Sequence, residues 1–190
     1  MPDLETDVDR RYSRCFAFTH REEGGLADRP LRDDPGGVTN HGMSLRLARS
    51  LGTMFDLDGS GVVDREDILL VTPDHTRWAF FELFWRSVHG NRLWPGLDLC
   101  AFDMSVHSGP GRATRFMQSA LRVTADGVWG PMSNAAMMAR WRDPVGQAQA
   151  IERFCAARAA WLEGLPNAAA NPGWVGRVLR VRDAAQRMMR

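Results

Sequence analysis

Apolar residues recur at helical spacing along most of the chain. Tyr12, Cys15, Phe16 and Thr19 share one face of a segment from Asp7 to about Arg21, which predicts a first helix that stops at Gly24-Gly25. Residues 25–44 are rich in Gly, Pro and Asp and predict a loop or short hairpin. Ser44 predicts the cap of a short helix ending near Gly52. Thr72-Pro73 predicts another helix start, with the hydroxyl as cap and Pro at the first helical position. That helix carries Trp78, Phe81, Leu83, Phe84, Trp85 and Val88, apolar on more than one side, and reads as largely buried. Beyond the breaks at Gly90 and Pro95-Gly96, further helices are expected from Leu97 to His107 and from Gly109-Pro110 to Val123. Three more follow, from Met132 to Trp141, from Asp143-Pro144 to Leu162, and from Asn171-Pro172-Gly173 to the terminus. Period-two alternation is nearly missing, so the expected fold is mainly α with at most a small β-hairpin.

Composition narrows this picture without changing it. A chain of 190 residues, 44% apolar and 25% charged, can bury one core or two small subdomains sharing one. The formal net charge of +1 implies no strongly charged partner such as nucleic acid. Every basic side chain is Arg, which suits carboxylate and phosphate recognition, but the near-zero balance gives that little weight. Cys15, Cys100 and Cys155 are odd in number and far apart, and so read as buried free thiols rather than a disulfide framework or metal cluster. No apolar run approaches the roughly 20 residues of a membrane span. The acidic start, Met1-Pro2-Asp3-Leu4-Glu5, lacks the basic and apolar regions of a signal peptide. Synthesis in the cytoplasm is expected, with any extracellular work needing a separate exit route.

The most informative stretch is Glu22-Glu23-Gly24-Gly25 followed by Asp33-Asp34-Pro35-Gly36-Gly37-Val38-Thr39-Asn40-His41-Gly42-Met43-Ser44. A carboxyl at the end of an apolar helix is desolvated on one side and meets the negative end of the helix dipole. Both effects favour its protonated form, the form that donates to a glycosidic oxygen. Glycines let backbone approach a sugar closely, and Asp, Thr and Asn can hold a water or hydroxyl opposite the acid. By itself the stretch is equally a solvated helix end with a loop.

Glu23-Gly24-Gly25 with Asp34-Pro35-Gly36-Gly37-x-Thr39-Asn40-x-Gly42 resembles the signature of glycoside hydrolase family 108, N-acetylmuramidases with a lysozyme-like fold. Gly42-Met43-Ser44 stands where that family has Gly-Ile-Thr. Phe84-Trp85 resembles its aromatic-Trp pair. Phe102-Asp103-x-x-Val106-His107-x-Gly109 is similar to its Phe-Asp-x-x-Val-Asn-x-Gly, with His107 in place of Asn. Gln118-x-Ala120-Leu121-x-Val123, Asp126-Gly127-x-x-Gly130 and Gly173-Trp174-x-x-Arg177 resemble the C-terminal region often described as peptidoglycan-binding. The resemblance spans roughly residues 10–185. It implies a catalytic region at 1–95 and a helical, peptidoglycan-binding region at 96–190, packed into one lysozyme-like globule. It implies Glu23 as catalytic acid; Glu22 points about 100° away on a helix. Asp34 and Thr39 are the candidate second catalytic group by analogy with phage lysozymes of related fold. Asp28 and Asp33 rival Asp34, which could instead cap the Asp-Pro-Gly-Gly turn.

A second motif stands apart from this one. Asp56-Leu57-Asp58-Gly59-Ser60-Gly61-Val62-Val63-Asp64-Arg65-Glu66-Asp67 fits a 12-residue EF-hand loop. Asp56, Asp58, Ser60, the Val62 carbonyl, Asp64 and Asp67 are the expected ligands, and Gly61 sits where the loop turns sharply. Asp67 is shorter than the usual Glu, which weakens Ca²⁺ coordination and makes Mg²⁺ a possible occupant. The loop stands alone, so a structural Ca²⁺ is expected rather than a sensor.

Trp78, Trp85, Trp141 and Trp161 lie on apolar helical faces and read as core. Trp129 and Trp174 lie beside glycines; with Asn40, His41 and His107 they are the candidate substrate contacts. No zinc-hydrolase, serine-hydrolase or phosphate-loop motif is present. The expected activity is hydrolysis of the β-1,4 bond between N-acetylmuramic acid and N-acetylglucosamine by a monomer acting on the cell wall after holin- or secretion-dependent release. The alternatives are a lytic transglycosylase, a non-catalytic wall-binding or secretion-helper protein of the same fold, and a calcium-responsive interaction protein.

Overall fold

Helix α1 (Asp7–Glu23) runs two residues beyond the Arg21 end expected from periodicity. The computed structural model describes residues 7–23 and 37–189. The described residues are mainly α, with one two-stranded hairpin. They pack as two compact units, Phe16–Phe80 and Met1–Cys15 with Phe81–Arg190. The boundaries between these units of packing fall at 15/16 and 80/81.

In the Phe16–Phe80 unit, strands β1 (Thr39–Asn40) and β2 (Met43–Ser44) pair antiparallel, Thr39 opposite Ser44 and Asn40 opposite Met43. The turn residues His41 and Gly42 both have positive φ, 50° and 84°, as tight two-residue hairpins require. Ser44 leaves the strand in extended backbone and its side chain accepts from Leu47 N, capping α2 (Leu45–Ser50). A 3₁₀ turn (Gly52–Phe55) leads into the acidic loop, and α3 (Arg65–Leu70) leaves it through a capping box between Asp64 and Asp67. Helix α4 (Pro73–Phe80) begins at the expected Pro. Val38, Met43, Ala48, Phe55, Ile68, Val71 and Ala79 form one buried cluster. Fully burying a side chain such as Met43 or Ile68 contributes about 2 kcal/mol relative to exposure.

In the second unit, Phe81–Trp85 is a π-helical turn, closed by Arg86 N donating to Phe81 O at 3.0 Å. Helix α5 (Leu97–Ser108) packs against α6 (Pro110–Leu121), α8 (Pro144–Glu163) and α9 (Gly173–Met188), with α7 (Pro131–Ala139) against α6. Apolar residues surround α5, which explains its lack of a single apolar stripe: Leu97, Leu99, Phe102 and Met104 are all fully buried. Tyr12 meets Phe81, Trp85 and Phe102 at ring-centroid distances of 5.0, 5.3 and 5.6 Å. Cysteines 15, 100 and 155 are buried free thiols, as expected.

The unit also buries charge. Asp98 accepts from Arg11 at 2.9 Å. Asp103 accepts from Arg158 at 2.7 Å and from Arg177 at 2.8 Å. Burial pushes the Asp103 carboxyl up, but the two guanidiniums outweigh it and hold it below the usual carboxylate range. Two expected core residues are on the surface instead: Trp78 and Trp141 are each 41% exposed, whereas Trp85 is fully buried. Trp78 lies only partly over Phe55, at 6.3 Å, and Trp141 falls in the turn after α7.

Candidate active site at the end of the first helix

Glu23 is the last residue of α1 and is partly buried. Its side-chain stem lies against the hairpin turn. A Cβ built on Gly42 would stand 3.3 Å from Glu23 Cβ, 3.6 Å from Glu23 Cγ and 3.3 Å from Phe80 Cζ. A residue without Cβ suits both this close approach to the carboxyl-bearing stem and the φ of +84°. The helix end, the hairpin turn and the end of α4 therefore meet around Glu23. Asp34, Gly24 and Gly25, together with the rivals Asp28 and Asp33, lie outside the described residues.

One turn before Glu23, His20 is sandwiched between Phe16 and His41, with ring centroids 5.1 and 5.9 Å apart and planes inclined by 28° and 19°. Its Nε2 is buried with no hydrogen-bond partner among the described residues. Burial, then the neighbouring His41, push the His20 imidazole below its ordinary value, while a hydrogen bond with the His41 backbone and the Glu23 carboxylate act the other way. Sequence reasoning missed His20 as a neighbour of the acid. The available signal was its spacing three residues before Glu23 on one helix face.

The loop residues divide between roles. Thr39 Oγ1 donates to Gly37 O at 3.4 Å. Asn40 turns its amide to the end of α3, donating to Ile68 O at 3.1 Å and Val71 O at 3.3 Å. Asn40 thus braces the hairpin, and its Nδ2 is engaged with backbone. His41 is partly buried in the ring stack.

The acidic loop is tied together by backbone N–H groups donating to its carboxylates. Asp56 Oδ2 accepts from Gly61 N at 2.9 Å and Asp58 Oδ1 from Ser60 N at 2.9 Å. Asp67 is fully buried: its Oδ1 accepts from Leu57 N at 2.6 Å and its Oδ2 from Asp64 N at 2.8 Å. Burial raises the Asp67 carboxyl, and the backbone N–H groups of Asp64, Asp58 and Leu57 more than reverse this, so it ionises readily. Oxygens of Asp56, Asp58 and Asp67 lie within 4.8 Å of one another. The other three expected ligands are engaged locally. Ser60 Oγ donates to Val62 O, and Asp64 caps α3 through Glu66 N.

His107, Trp129 and Trp174 belong to the other packing unit. His107 meets Trp174 edge-on at 5.8 Å and shares a hydrogen bond with Ser108. Burial, then Arg158 and Arg177, push its imidazole down to about 4. Trp129 packs on His89 at 5.2 Å. Two of the sequence motifs meet here, since Asp103 holds Arg177 and His107 touches Trp174. Two more are joined by a clamp: Gln118 Nε2 lies within hydrogen-bond distance of Asp126 Oδ1, Val128 O and Ser133 Oγ, while its Oε1 accepts from Gly127 N.

The chain matches the family described as Glycosyl hydrolase 108 over residues 16–109, a span that contains Glu23, the hairpin, the acidic loop and Asp103. Among solved structures it is similar to that of Brucella abortus SagA, with 31% identity over 94% of this chain and 95% of that one and a TM-score of 0.78. No curated protein matches it. No helix among the described residues is long and apolar enough to cross a membrane.

Proposed function

Given that this chain belongs to glycosyl hydrolase family 108, we propose that it is a muramidase, cutting the β-1,4 bond between N-acetylmuramic acid and N-acetylglucosamine in peptidoglycan. Glu23 is the general acid. The observation that carries this reading is the closeness of the Glu23 stem to Gly42, which sets a carboxyl at a helix end against a glycine turn. Glu23 gives its proton to the glycosidic oxygen as the C–O bond breaks and positive charge develops on the sugar. Asp34 and Thr39 form the second group, holding the water or stabilising that charge. His41 and the Asn40 backbone line the same turn. His107, Trp129 and Trp174, in the 96–190 region, contact the glycan strand. The protein acts as a monomer on the cell wall, after release by a holin or a secretion system.

The acidic loop fits a structural Ca²⁺. Asp56 Oδ1 is buried without a hydrogen-bond partner among the described residues, beside two further carboxylates. An all-oxygen donor set suits a hard cation. Asp56, Asp58 and Asp67 would hold it, with Ser60, Val62 and Asp64 completing the set; the ion would supply charge neutralisation and bracing, and the short Asp67 arm also admits Mg²⁺. The brace continues through α3 to the carbonyls that hold Asn40.

The test is digestion of purified sacculi by the wild type and Glu23→Gln, with mass spectrometry of the products. New reducing ends from the wild type, and none from the variant, support the reading. Anhydro ends would make the enzyme a lytic transglycosylase. No products from the folded wild type would favour a non-catalytic wall-binding role.

A further inference from the structure

The surface of the Phe81–Arg190 unit carries a broad cavity of about 730 Å³ that is open to solvent over most of its extent. Its apolar floor is Pro144, Val145 and Ala148, from the first turns of α8, and Arg122 and Arg153 stand on its wall. Arg122 caps the end of α6 with φ +60°, a left-handed conformation that costs a non-glycine residue about 1 kcal/mol. Arg153 Nε donates to Ala120 O at 2.9 Å, which fixes its guanidinium beside the end of the same helix. Arg140 lies close enough, with Arg122, to push the Arg153 guanidinium down after burial does so.

Among the described residues, Arg122, Arg140 and Arg153 have no acidic partner. The one acid on the cavity wall, Glu152, accepts from Gln186 Nε2 of α9. Asp143 next to the floor caps α8, accepting from Gly146 N at 2.9 Å. The cavity therefore combines an apolar side with two guanidiniums that make no ion pair among the described residues.

We propose that this cavity binds the stem peptide of peptidoglycan, with Arg122 and Arg153 taking its carboxylates and the Pro144, Val145 and Ala148 floor its short alkyl groups. The assignment rests on the peptidoglycan reading above. A stem peptide presents several carboxylates and small apolar side chains on one short chain, matching both parts of the cavity. A phosphate polymer would leave the floor unused. Through this site the enzyme holds a peptide-bearing strand independently of the bond it cuts.

The test measures binding of a fluorescent synthetic tetrapeptide, L-Ala-γ-D-Glu-meso-diaminopimelate-D-Ala, to the full chain. Two variants remove binding without threatening the fold. Arg122→Gly suits the left-handed backbone, and Val145→Asp, at a position 67% exposed, adds an acid to the first turn of α8, where it is favourable. The expected result is saturable binding by the wild type and by Glu23→Gln, weakened at least tenfold in either cavity variant at unchanged melting temperature. A tetrapeptide amidated on its carboxylates should bind at least tenfold more weakly. No saturable binding by the wild type, or equal binding by the variants, would overturn the proposal. So would equal competition by inorganic phosphate or by phosphatidylglycerol vesicles. Failure here leaves lysis by the wild type and its loss in Glu23→Gln untouched; retained lysis in Glu23→Gln would instead undo the muramidase reading while leaving peptide binding measurable.

Discussion

Glu23 and Gly42 lie so close that a Cβ at residue 42 would stand 3.3 Å from Glu23 Cβ, tighter than an ordinary contact, so the Glu23 stem would have to shift to admit it. Gly42→Ala therefore meets two penalties, a left-handed φ and a crowded neighbour. Gly52 has φ +67° with nothing within 4 Å of its Cβ position, so Gly52→Ala carries the first penalty alone. Gly52→Ala should lose about 1–2 kcal/mol of stability from the left-handed backbone alone, and Gly42→Ala at least as much. Only Gly42→Ala should also lose roughly 10- to 100-fold in sacculus clearing, through displacement of the Glu23 stem. Equal activity in the two variants would show that the contact does not position the acid.

Ion binding at the acidic loop should appear as stabilisation. With Ca²⁺ at about 100 times its dissociation constant, linkage gives about 2.7 kcal/mol, or roughly 5–10 °C in Tm for a chain of this size. Sodium at equal ionic strength should give little of this, and Asp56→Asn should remove most of it. A Tm equally indifferent to both salts would eliminate the ion site.

Stability should fall on mild acidification. The imidazoles of His20 and His107 both sit below their ordinary value in the folded protein, His107 at about 4. Between there and about 6.5 the unfolded chain binds more protons than the folded one, so stability is complete above about 6.5 and is lost as pH falls toward 4. Thermal melts from pH 7 to pH 5 should show a falling Tm, and His107→Asn should flatten part of the slope. An unchanged slope in that variant would mean that His107 does not contribute.

Asp103 neutralises two buried arginines, Arg158 and Arg177. Asp103→Asn removes the carboxylate and leaves both guanidiniums buried, which should cost about 3–5 kcal/mol in urea unfolding. A loss under 1 kcal/mol would mean that the pair is solvated.

Much of the helical frame was legible because its signals are local. Ser44, Pro73 and Asp143-Pro144 mark helix starts by their own side-chain chemistry, and each helix begins there. What depends on tertiary packing was not. The apolar run from Trp78 to Val88 gave no sign of the π turn at Phe81–Trp85, since residues apolar on every side carry no phase. The same run made Trp78 and Trp85 look alike, yet one is exposed and the other buried. Within the site, Glu23 and the glycine turn stood out from residue type. The engagement of Asn40 with Ile68 and Val71 spans about 30 residues and leaves no trace in spacing. Asp67 read as a ligand, and its second role as a helix-capping acceptor emerged only from the fold.

The most direct test of the central claim is the rate of release of soluble muropeptides from purified sacculi by Glu23→Gln, set against wild type of equal melting temperature. Release by the wild type and a loss of at least 10³-fold in the variant are expected, since no other group takes over proton donation to the glycosidic oxygen. Release by a folded Glu23→Gln protein within tenfold of wild type would contradict it.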